Sequence, residues 1–377
     1  MKKIAILTLY YHNYNYGGIL QAYALQKVIE KMGFSSEQIS YKLDSGYRDI
    51  KHFKLKVRNY VLHLYYFFKD HEWMIKYNTL KKEFDSFATL IPHTRLVTAS
   101  NISKIVDQFD VFICGSDQIW NPIGWQPTLF LNFVPNNKVK ISYAASIARD
   151  KLSKDQYDFI RKYVKDFDAI SVREKNSAEM LNQMYPDLNI QDMPDPVFLL
   201  DECEWEKIIQ RSNNSKPFIL AYFLGNENDN REKALEFAKK IGVKIYFVAY
   251  LDYSQSKWDK KHAEENTPPL GVKDFLNNIA NASLVLTDSF HASLFSAIYR
   301  TPFYVMPRFN DGDNISMNSR ILNLIEELNL PNRYTNTLSI YYEWSKDELN
   351  NITHNLKRLR NKGTDFLKQS ILQMDSE

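Results

Sequence analysis

The stretch S-L-V-L-T-D-S-F-H-A-S-L-F-S at residues 283–296 places one apolar run directly before another. The first run has the length of a buried strand, and the second continues with helical spacing. Asp288 and Ser289, at the junction, are residue types that commonly begin helices. The stretch therefore predicts a strand that passes straight into a helix, which is the repeating unit of a parallel α/β sheet.

The same alternation recurs along the 377-residue chain. Strands are predicted at 3–11, 111–114, 139–147, 169–174, 217–224, 244–250, 283–288 and 302–307. Helices are predicted at 19–34, 153–167, 176–185, 229–241, 271–280, 291–299, 319–329 and 345–373. The pattern restarts after a polar stretch, and this length suits two cores better than one. We therefore predict an N-terminal domain at 1–205, a C-terminal domain at 206–345 and C-terminal helices at 346–377.

A helical insertion of about residues 51–90 interrupts the first domain. Its segment 51–69 mixes Lys and Arg with Tyr and Phe at helical spacing. One interpretation is an amphipathic helix packed on the first domain. The other is an interfacial helix that contacts an anionic membrane or a lipid-linked substrate.

Composition excludes several classes of protein. The net charge of +3 is too small to indicate nucleic acid binding. Two distant cysteines, Cys114 and Cys203, do not make a disulfide framework and favour the cytoplasm, either free or at the inner face of the membrane. Neither a dinucleotide-binding nor a P-loop motif occurs, and Asp311-Gly-Asp313 resembles a tight turn more than a metal site. No metal and no cofactor are predicted.

Two junctions in the first domain place polar residues after predicted strands. In H-N-Y-N-Y-G-G-I-L-Q (12–21), Gly17 and Gly18 allow close backbone approach, and Asn15 and Gln21 can bond a ligand. The alternative is an ordinary turn and helix cap.

The second of these junctions is G-S-D-Q-I-W-N-P (115–122). Asp117 is a candidate base for a sugar hydroxyl, Gln118 lies beside it, and Trp120 is a candidate platform for a sugar ring. The alternative is a cap followed by a core tryptophan.

Two further residues suit anion chemistry. Arg173 ends the predicted strand I-S-V-R-E, and a guanidinium group binds carboxylates and phosphates at two points. His291 begins a predicted helix, where a bound anion would favour the protonated imidazole and prepare it as a general acid. The alternatives are a solvated arginine and a core histidine.

In combination, these motifs resemble the polysaccharide pyruvyl transferase family. The resemblance depends on N-Y-G-G-I-L-Q-A-Y-A-L-Q, G-S-D-Q-I-W-N-P, S-Y-A-A-S, I-S-V-R-E, D-P-V-F-L-L, T-D-S-F-H-A-S-L-F-S and N-S-R-I-L. These motifs run from about residue 13 to residue 322, and their order and spacing are more specific than any one of them.

The resemblance implies two Rossmann-like domains that face one another across a cleft, as in GT-B glycosyltransferases. It also implies transfer of the enolpyruvyl carbons of phosphoenolpyruvate to a sugar of a bacterial surface polysaccharide, an exopolysaccharide or capsule, or of its lipid-linked precursor. The products are a pyruvate ketal and phosphate. The first domain is then the acceptor side and the second the donor side.

The resemblance also assigns roles to residues. Family members commonly have an Arg-x-His motif in the second domain; here His291 matches the histidine, and Ser289 replaces the arginine. Ser289, Asp288, Arg173 and Arg320 are the expected donor-binding residues, with Arg308 as a weaker candidate. His291 is the expected catalytic acid and base, and Asp117 the expected acceptor-side base. The expected acceptor contacts are Asn15, Gly17, Gly18, Gln21, Gln118 and Trp120.

Two other functions remain open. A nucleotide-sugar glycosyltransferase of the same architecture is favoured by Ser289, because loss of the arginine removes a charge suited to phosphoenolpyruvate. A non-catalytic carbohydrate-binding protein would bind acceptor glycans and neither donor.

Overall fold

The computed structural model describes most of the chain. The described residues are 2–43, 71–122, 125–149, 151–209, 211, 216–225, 229–248, 258, 261–262, 265–267, 270–308 and 318–372. The predictions for segment 51–69, including membrane contact, and for the turn at 311–313 lie outside these ranges.

The first sheet has six parallel strands in the order β2-β1-β3-β4-β5-β6. They are β1 (Lys3–Leu7), β2 (Ser35–Gln38), β3 (Val111–Cys114), β4 (Val139–Ala145), β5 (Ala169–Val172) and β6 (Gln191–Asp192). All residues of β3 and β4 are buried, as expected where a parallel sheet is covered on both faces. The two edge strands, β2 and β6, are polar and were not predicted.

Three helices accompany this sheet, and side chains cap the first two of them. They are α1 (Tyr16–Lys31), α3 (Lys154–Val164) and α4 (Lys175–Met184). The Asn15 side chain accepts a hydrogen bond from the Gly18 amide at the start of α1. A reciprocal capping box between Ser153 and Gln156 begins α3.

The second sheet has four parallel strands in the order β10-β9-β7-β8. They are β7 (Phe218–Tyr222), β8 (Lys244–Phe247), β9 (Leu284–Thr287) and β10 (Phe303–Val305). The remaining helices of the described ranges are α2 (His71–Ala88), α5 (Glu202–Glu206), α6 (Asp229–Ile241), α7 (Val272–Asn281), α8 (Phe290–Ile298), α9 (Asn318–Leu328) and α10 (Lys346–Leu372). Strand β9 ends at Thr287 and α8 begins at Phe290, so the opening stretch forms the predicted strand and helix.

The described residues separate into two compact units. The first contains those within 1–52, 88–200 and 357–377, and the second those within 53–87 and 201–356. Each unit has its own buried apolar cluster around its sheet. The second unit includes nearly all of α2, where the sequence predicted an insertion in the first domain. In that unit Gly271 lies against the side chain of Glu83 in α2.

The last part of α10 completes the core of the first unit. A Cβ atom on Gly363 would lie 2.3 Å from the Tyr143 hydroxyl oxygen and 2.6 Å from the Leu199 side chain. Glycine therefore lets this helix approach β4 closely. Lys362 Nζ forms an ion pair with Asp192 in β6, and Arg360 donates to the Leu200 carbonyl.

Among the helices in the described ranges, none combines the length and the apolar composition that a bilayer crossing requires.

Candidate functional site

A buried hydrogen-bond network organises the carboxyl edge of the first sheet. The Gln21 side chain donates to Thr8 Oγ1 at 2.9 Å and accepts from the Ser116 amide at 3.1 Å. The Thr8 hydroxyl donates in turn to the Ser116 carbonyl at 3.0 Å. Gln21 and Ser116 are fully buried. The network fixes the segment after β3 against the segment after β1.

Gly115 makes the next turn possible. Its φ is +117°, and an added Cβ would lie 2.1 Å from the Tyr143 carbonyl oxygen in β4. No side chain fits there, and an L-residue rarely adopts this conformation. The peptide bond from Gly115 to Ser116 is cis, and the Ser116 hydroxyl donates to the Ala144 carbonyl at 2.8 Å.

Asp117 follows in a left-handed conformation, with φ of 55°. Its backbone carbonyl accepts hydrogen bonds from the amides of Ile119 and Ser146. Its Oδ2 atom lies 3.6 Å from the position that a Cβ on Gly18 would occupy, next to the first turn of α1. The side chain is 17% exposed, so the carboxylate reaches solvent close to the positive end of a helix.

Arg173 lies behind Asp117 and has a 4% exposed side chain. Its Nη1 atom is 2.8 Å from Asp195 Oδ2 and 3.8 Å from Asp117 Oδ1, and its Nε atom is 3.6 Å from Glu174 Oε1. Burial lowers the pKa of Arg173, but the three carboxylates raise it by more than burial lowers it. The net shift of the pKa is therefore upward. The guanidinium group thus stays charged and neutralises part of a buried acidic cluster.

The three acids of this cluster differ in their other partners. Glu174 accepts hydrogen bonds from the Ser146 hydroxyl and the Ile147 amide. Asp195 caps the short 3-10 helix Pro196–Leu199 by accepting from the Val197 amide. Asp117 is the most exposed of the three acids.

The structure separates the predicted acceptor contacts into exposed and buried groups. Asn15 is exposed and Gln118 half-buried, and both lie at this edge. Gly17 and Gly18 are buried in the first turn of α1. The amide of Gln21 is used internally, so it acts in the scaffold and not at a surface.

The structure contradicts the prediction that Trp120 is a platform for a sugar ring. Its side chain is fully buried, and its ring stacks on Phe130 at 5.1 Å with an interplanar angle of 6°. Its indole nitrogen donates to the Leu129 carbonyl. The apolar ring gains more from this core than from solvent, so Trp120 is the core tryptophan of the alternative interpretation.

Asp288 organises the carboxyl edge of the second sheet. Its carboxylate is 1% exposed. Oδ1 accepts from the Leu224 amide at 2.7 Å, and Oδ2 accepts from the Gly225 amide at 2.8 Å. The Arg308 guanidinium donates to the Asp288 carbonyl at 2.7 Å and lies 3.3 Å from its carboxylate. Asp288 therefore joins the segments that follow β7, β9 and β10, and it positions Arg308.

A second arginine, Arg231, lies in the first turn of α6 at the same edge. It donates to the carbonyls of Gly225 and Phe223 at 2.8 and 3.0 Å. Sequence reasoning missed Arg231. The sequence pattern that could have indicated it is an arginine in the first turn of a helix that follows a strand. Acidic residues are the usual choice at that position.

Ser289 and His291 begin α8. The Ser289 hydroxyl accepts from the Ala292 amide, and the Thr287 hydroxyl accepts from the Ser289 amide at 2.9 Å. His291 is half-buried one residue into the helix, with its ring edge against Phe290. Arg320 is half-buried in the first turn of α9. Ser289 is therefore a helix cap, and hydrogen bonds fix the guanidinium groups of Arg308 and Arg231 at this edge.

Within the ranges that the structure describes, no group of three or more His, Cys, Asp or Glu residues is arranged to hold a metal ion. The buried thiol of Cys114, at the end of β3, has a raised pKa because burial disfavours the thiolate.

Two solved structures have the same fold. A UDP-GlcNAc 2-epimerase from Neisseria meningitidis bound to UDP-GlcNAc matches with a TM-score of 0.53, 11% identity and coverage of 99% of this chain and 100% of that chain. A provisionally assigned UDP-N-acetylglucosamine 2-epimerase from Listeria monocytogenes matches with a TM-score of 0.55 and 10% identity. That match covers 100% of this chain and 96% of the other. At these identities the similarity shows the fold alone, a GT-B-type architecture with two Rossmann-like units.

A sequence search of curated proteins finds no match. The sequence model of the polysaccharide pyruvyl transferase family, in contrast, matches residues 15–308. This range begins at the cap of α1 and ends at Arg308, so it includes the polar junctions of both sheets. The chain therefore belongs to the polysaccharide pyruvyl transferase family, which is a family of enzymes.

Proposed function

We propose that this enzyme transfers the enolpyruvyl group of phosphoenolpyruvate to a sugar and closes a pyruvate ketal. The sugar is part of a bacterial surface polysaccharide or of its lipid-linked precursor. The observation that supports this most is the family match over 15–308, which takes in Asp117, Arg173, His291 and Arg308. Phosphoenolpyruvate is the donor in this proposal, and no metal takes part in it.

The second unit is the proposed donor side. Phosphoenolpyruvate has a carboxylate and a phosphate, and binding both requires positive charge. Arg308 and Arg231 lie at the carboxyl edge of the second sheet, and the N-terminus of α8 adds a partial positive charge there. In this proposal Arg308 supplies the charge that Ser289 lacks, and Arg320 adds to it.

The first unit is the proposed acceptor side. Asp117 has the most exposed carboxylate of its cluster and is the proposed base for a sugar hydroxyl. Arg173, which the sequence predicted to bind the donor, is instead buried among the three carboxylates and orients Asp117, so its role in this proposal is positioning. Asn15 and Gln118 are the polar side chains at this edge that remain as acceptor contacts.

The proposed reaction conserves atoms and charge. His291 gives a proton to the methylene carbon, which becomes a methyl group, and the adjacent carbon becomes electrophilic. A sugar hydroxyl attacks that carbon and loses its proton to Asp117. A second hydroxyl of the same sugar then attacks and loses its proton to His291, which restores the imidazolium. The bond from carbon to the phosphate oxygen breaks, and phosphate leaves with the proton that Asp117 had accepted.

The test is to incubate the purified chain with phosphoenolpyruvate and candidate glycans. Phosphate release and the mass of the glycan product are both measured. A product that contains the pyruvate ketal, together with one phosphate for each ketal, is the expected result. Replacement of His291 by Gln is expected to reduce kcat by about 10²–10⁴-fold with folding unchanged. Phosphate release at the wild-type rate in H291Q would remove His291 from the mechanism.

A nucleotide-sugar glycosyltransferase is the second candidate, favoured by one observation. Ser289 replaces the family arginine, and its hydroxyl is committed to capping α8. Thermal unfolding separates the two functions, because a ligand that binds the folded state raises the melting temperature. Stabilisation by phosphoenolpyruvate alone supports the pyruvyl transferase, and stabilisation by nucleotide sugars alone supports the glycosyltransferase. A chain that responds to glycans and to neither donor is a binding protein.

A further inference from the structure

The first unit contains a cavity of about 590 Å³ at the carboxyl ends of β1 and β2. Its lining comes from the loop between β1 and α1, from the residues just after β2, and from Leu96. In open α/β sheets this is the edge at which ligands bind. The volume falls in the range of about 300–1,000 Å³ that is typical of small-molecule sites. None of the residues predicted from the sequence as acceptor contacts lines it.

The cavity combines an accessible aromatic ring with apolar walls. Tyr11 is half-buried, and its ring is held edge-on against His12 at 4.2 Å and near His93 at 6.0 Å. Leu9, Leu43 and Leu96 supply the apolar walls. Carbohydrates have apolar C–H faces that pack on such rings, as Trp120 was expected to allow.

The polar lining of the cavity is basic. Lys42 and His12 are both exposed residues of the lining, and Asn13 adds an amide whose nitrogen donates to the Leu9 carbonyl at 2.9 Å. None of the described lining residues is acidic. Lys42 is held in place through its backbone, because its amide donates to the Val97 carbonyl at 2.8 Å. Its ammonium group therefore extends from a fixed main chain.

From this geometry we infer that the cavity bounded by Tyr11, His12 and Lys42 binds a saccharide that has a negatively charged group. The inference rests on the proposed function only in taking a sugar as the ligand. Tyr11 contacts the sugar ring, and Lys42 with His12 binds the anion. A carboxylate on the sugar and a phosphate at its reducing end are both negatively charged, so the experiment includes both.

The test is a binding measurement by isothermal titration calorimetry without phosphoenolpyruvate. The probes are cellobiose, cellobiose 1-phosphate and cellobiouronic acid, which share one disaccharide framework and differ in charge. At least one of the two anionic probes is expected to bind about tenfold more tightly than cellobiose, as one charged hydrogen bond would give. The tighter of the two identifies the source of the charge.

Two variants connect this preference to the cavity. Lys42→Gln is expected to abolish the tenfold preference, and Tyr11→Ala to weaken binding of all three probes by about tenfold. Lys154→Gln, an exposed lysine in α3 of the same unit, is the matched control and is expected to bind like the wild type. Melting temperatures are measured alongside, and Tyr11→Leu replaces Tyr11→Ala if the latter unfolds.

Three outcomes overturn the inference. They are equal affinity of cellobiose and both anionic probes, a preference that survives in Lys42→Gln, and no binding of any probe at millimolar concentration. Because donor and turnover are absent from the measurement, failure of phosphoenolpyruvate as the donor leaves these results unaffected. Failure of the cavity leaves the donor experiment unaffected in the same way.

Discussion

Each of the two sheet edges contains an aspartate beside an arginine, but the more deeply buried member of the pair differs between the edges. In the first unit Arg173 is the covered partner, with 4% of its side chain exposed, and Asp117 is 17% exposed. In the second unit Asp288 is covered at 1%, and Arg308 is 15% exposed. One edge thus presents a carboxylate to solvent and the other a guanidinium group.

This difference shows that the order of burial, and not the composition of the pair, sets the charge that a site presents. A base that activates a hydroxyl requires the first arrangement, and an anion-binding site requires the second. This order agrees with the acceptor and donor roles proposed for the two units.

The largest effect on stability is expected from removing the covered arginine. Arg173→Met leaves Asp195 and Glu174 as buried carboxylates without their cation, which is expected to cost about 3–5 kcal/mol of unfolding free energy. Arg308→Met is the matched variant and is expected to cost about 1–2 kcal/mol, because two backbone amides still bond Asp288. Urea unfolding measures both, and equal losses would remove the distinction between the two edges.

Glycine substitutions are the next largest effect. Gly115→Ala is expected to cost about 3 kcal/mol or more, because the new methyl group would collide with the Tyr143 carbonyl and φ is positive. Gly225→Ala at the other edge is expected to cost about 1 kcal/mol, since its nearest neighbours are 3.1 Å and 3.2 Å away and one is a flexible arginine. Chemical denaturation separates these values. A mild Gly115→Ala variant would mean that β4 can move aside.

Substitution of the two aspartates is expected to affect different properties, stability for Asp288 and activity for Asp117. Asp288→Asn loses one acceptor for two backbone amides and is expected to cost about 2 kcal/mol. Asp117→Asn is expected to change stability by less than about 1 kcal/mol, while kcat falls by about 10²-fold or more if it is the base. Melting curves and phosphate release measure the two effects. An inactive and unstable Asp117→Asn would contradict a role limited to chemistry.

The smallest effect is expected outside both edges, at Arg333 and Glu348. Burial raises the pKa of Glu348, but hydrogen bonds from Arg333 and from the Ser345 amide lower it more, so the net direction is downward from 4.5. A lowered folded-state pKa adds stability above the unfolded value and loses it as pH falls through the folded value.

Glu348→Gln is therefore expected to be less stable than the wild type by about 1 kcal/mol near neutral pH. The difference should shrink below about pH 4.5, where the wild type also loses its carboxylate. Unfolding measured between about pH 3 and pH 7 checks this, with Glu343→Gln as the control in the same segment. A difference that stays constant with pH would assign it to packing.

Much of the fold follows from the sequence because its strands are buried on both faces. The apolar run 111–114 is β3 to the residue, and 229–241 is α6 to the residue. The polar segment Ser35–Gln38 gave no such signal, since an edge strand in a parallel sheet depends on backbone pairing with β1. Helix α2 groups with the second unit because of tertiary contacts, such as that of Glu83 with Gly271. The hydrophobic periodicity of a helix does not indicate which unit it packs against.

The site was less predictable, because local sequence does not say which way a side chain packs. Trp120 and Gln21 lie in motifs that suit ligand binding. In the structure, however, Trp120 stacks on Phe130 and Gln21 accepts a hydrogen bond from the Ser116 amide, both inside the unit. Tyr11 and Lys42 have no motif at all, and only the meeting of two loops makes them lining residues of one cavity. Their signal would have been their shared position just after neighbouring strands.

The helix that ends with residues 357–372 has a consequence for synthesis of the chain. The first unit receives this segment only after the whole second unit has left the ribosome, and Gly363 cannot meet Tyr143 before then. The emerging N-terminal half therefore lacks the contacts of Tyr143 with Gly363 and Phe366 while translation continues. A fragment that ends at residue 200 would lack these contacts permanently.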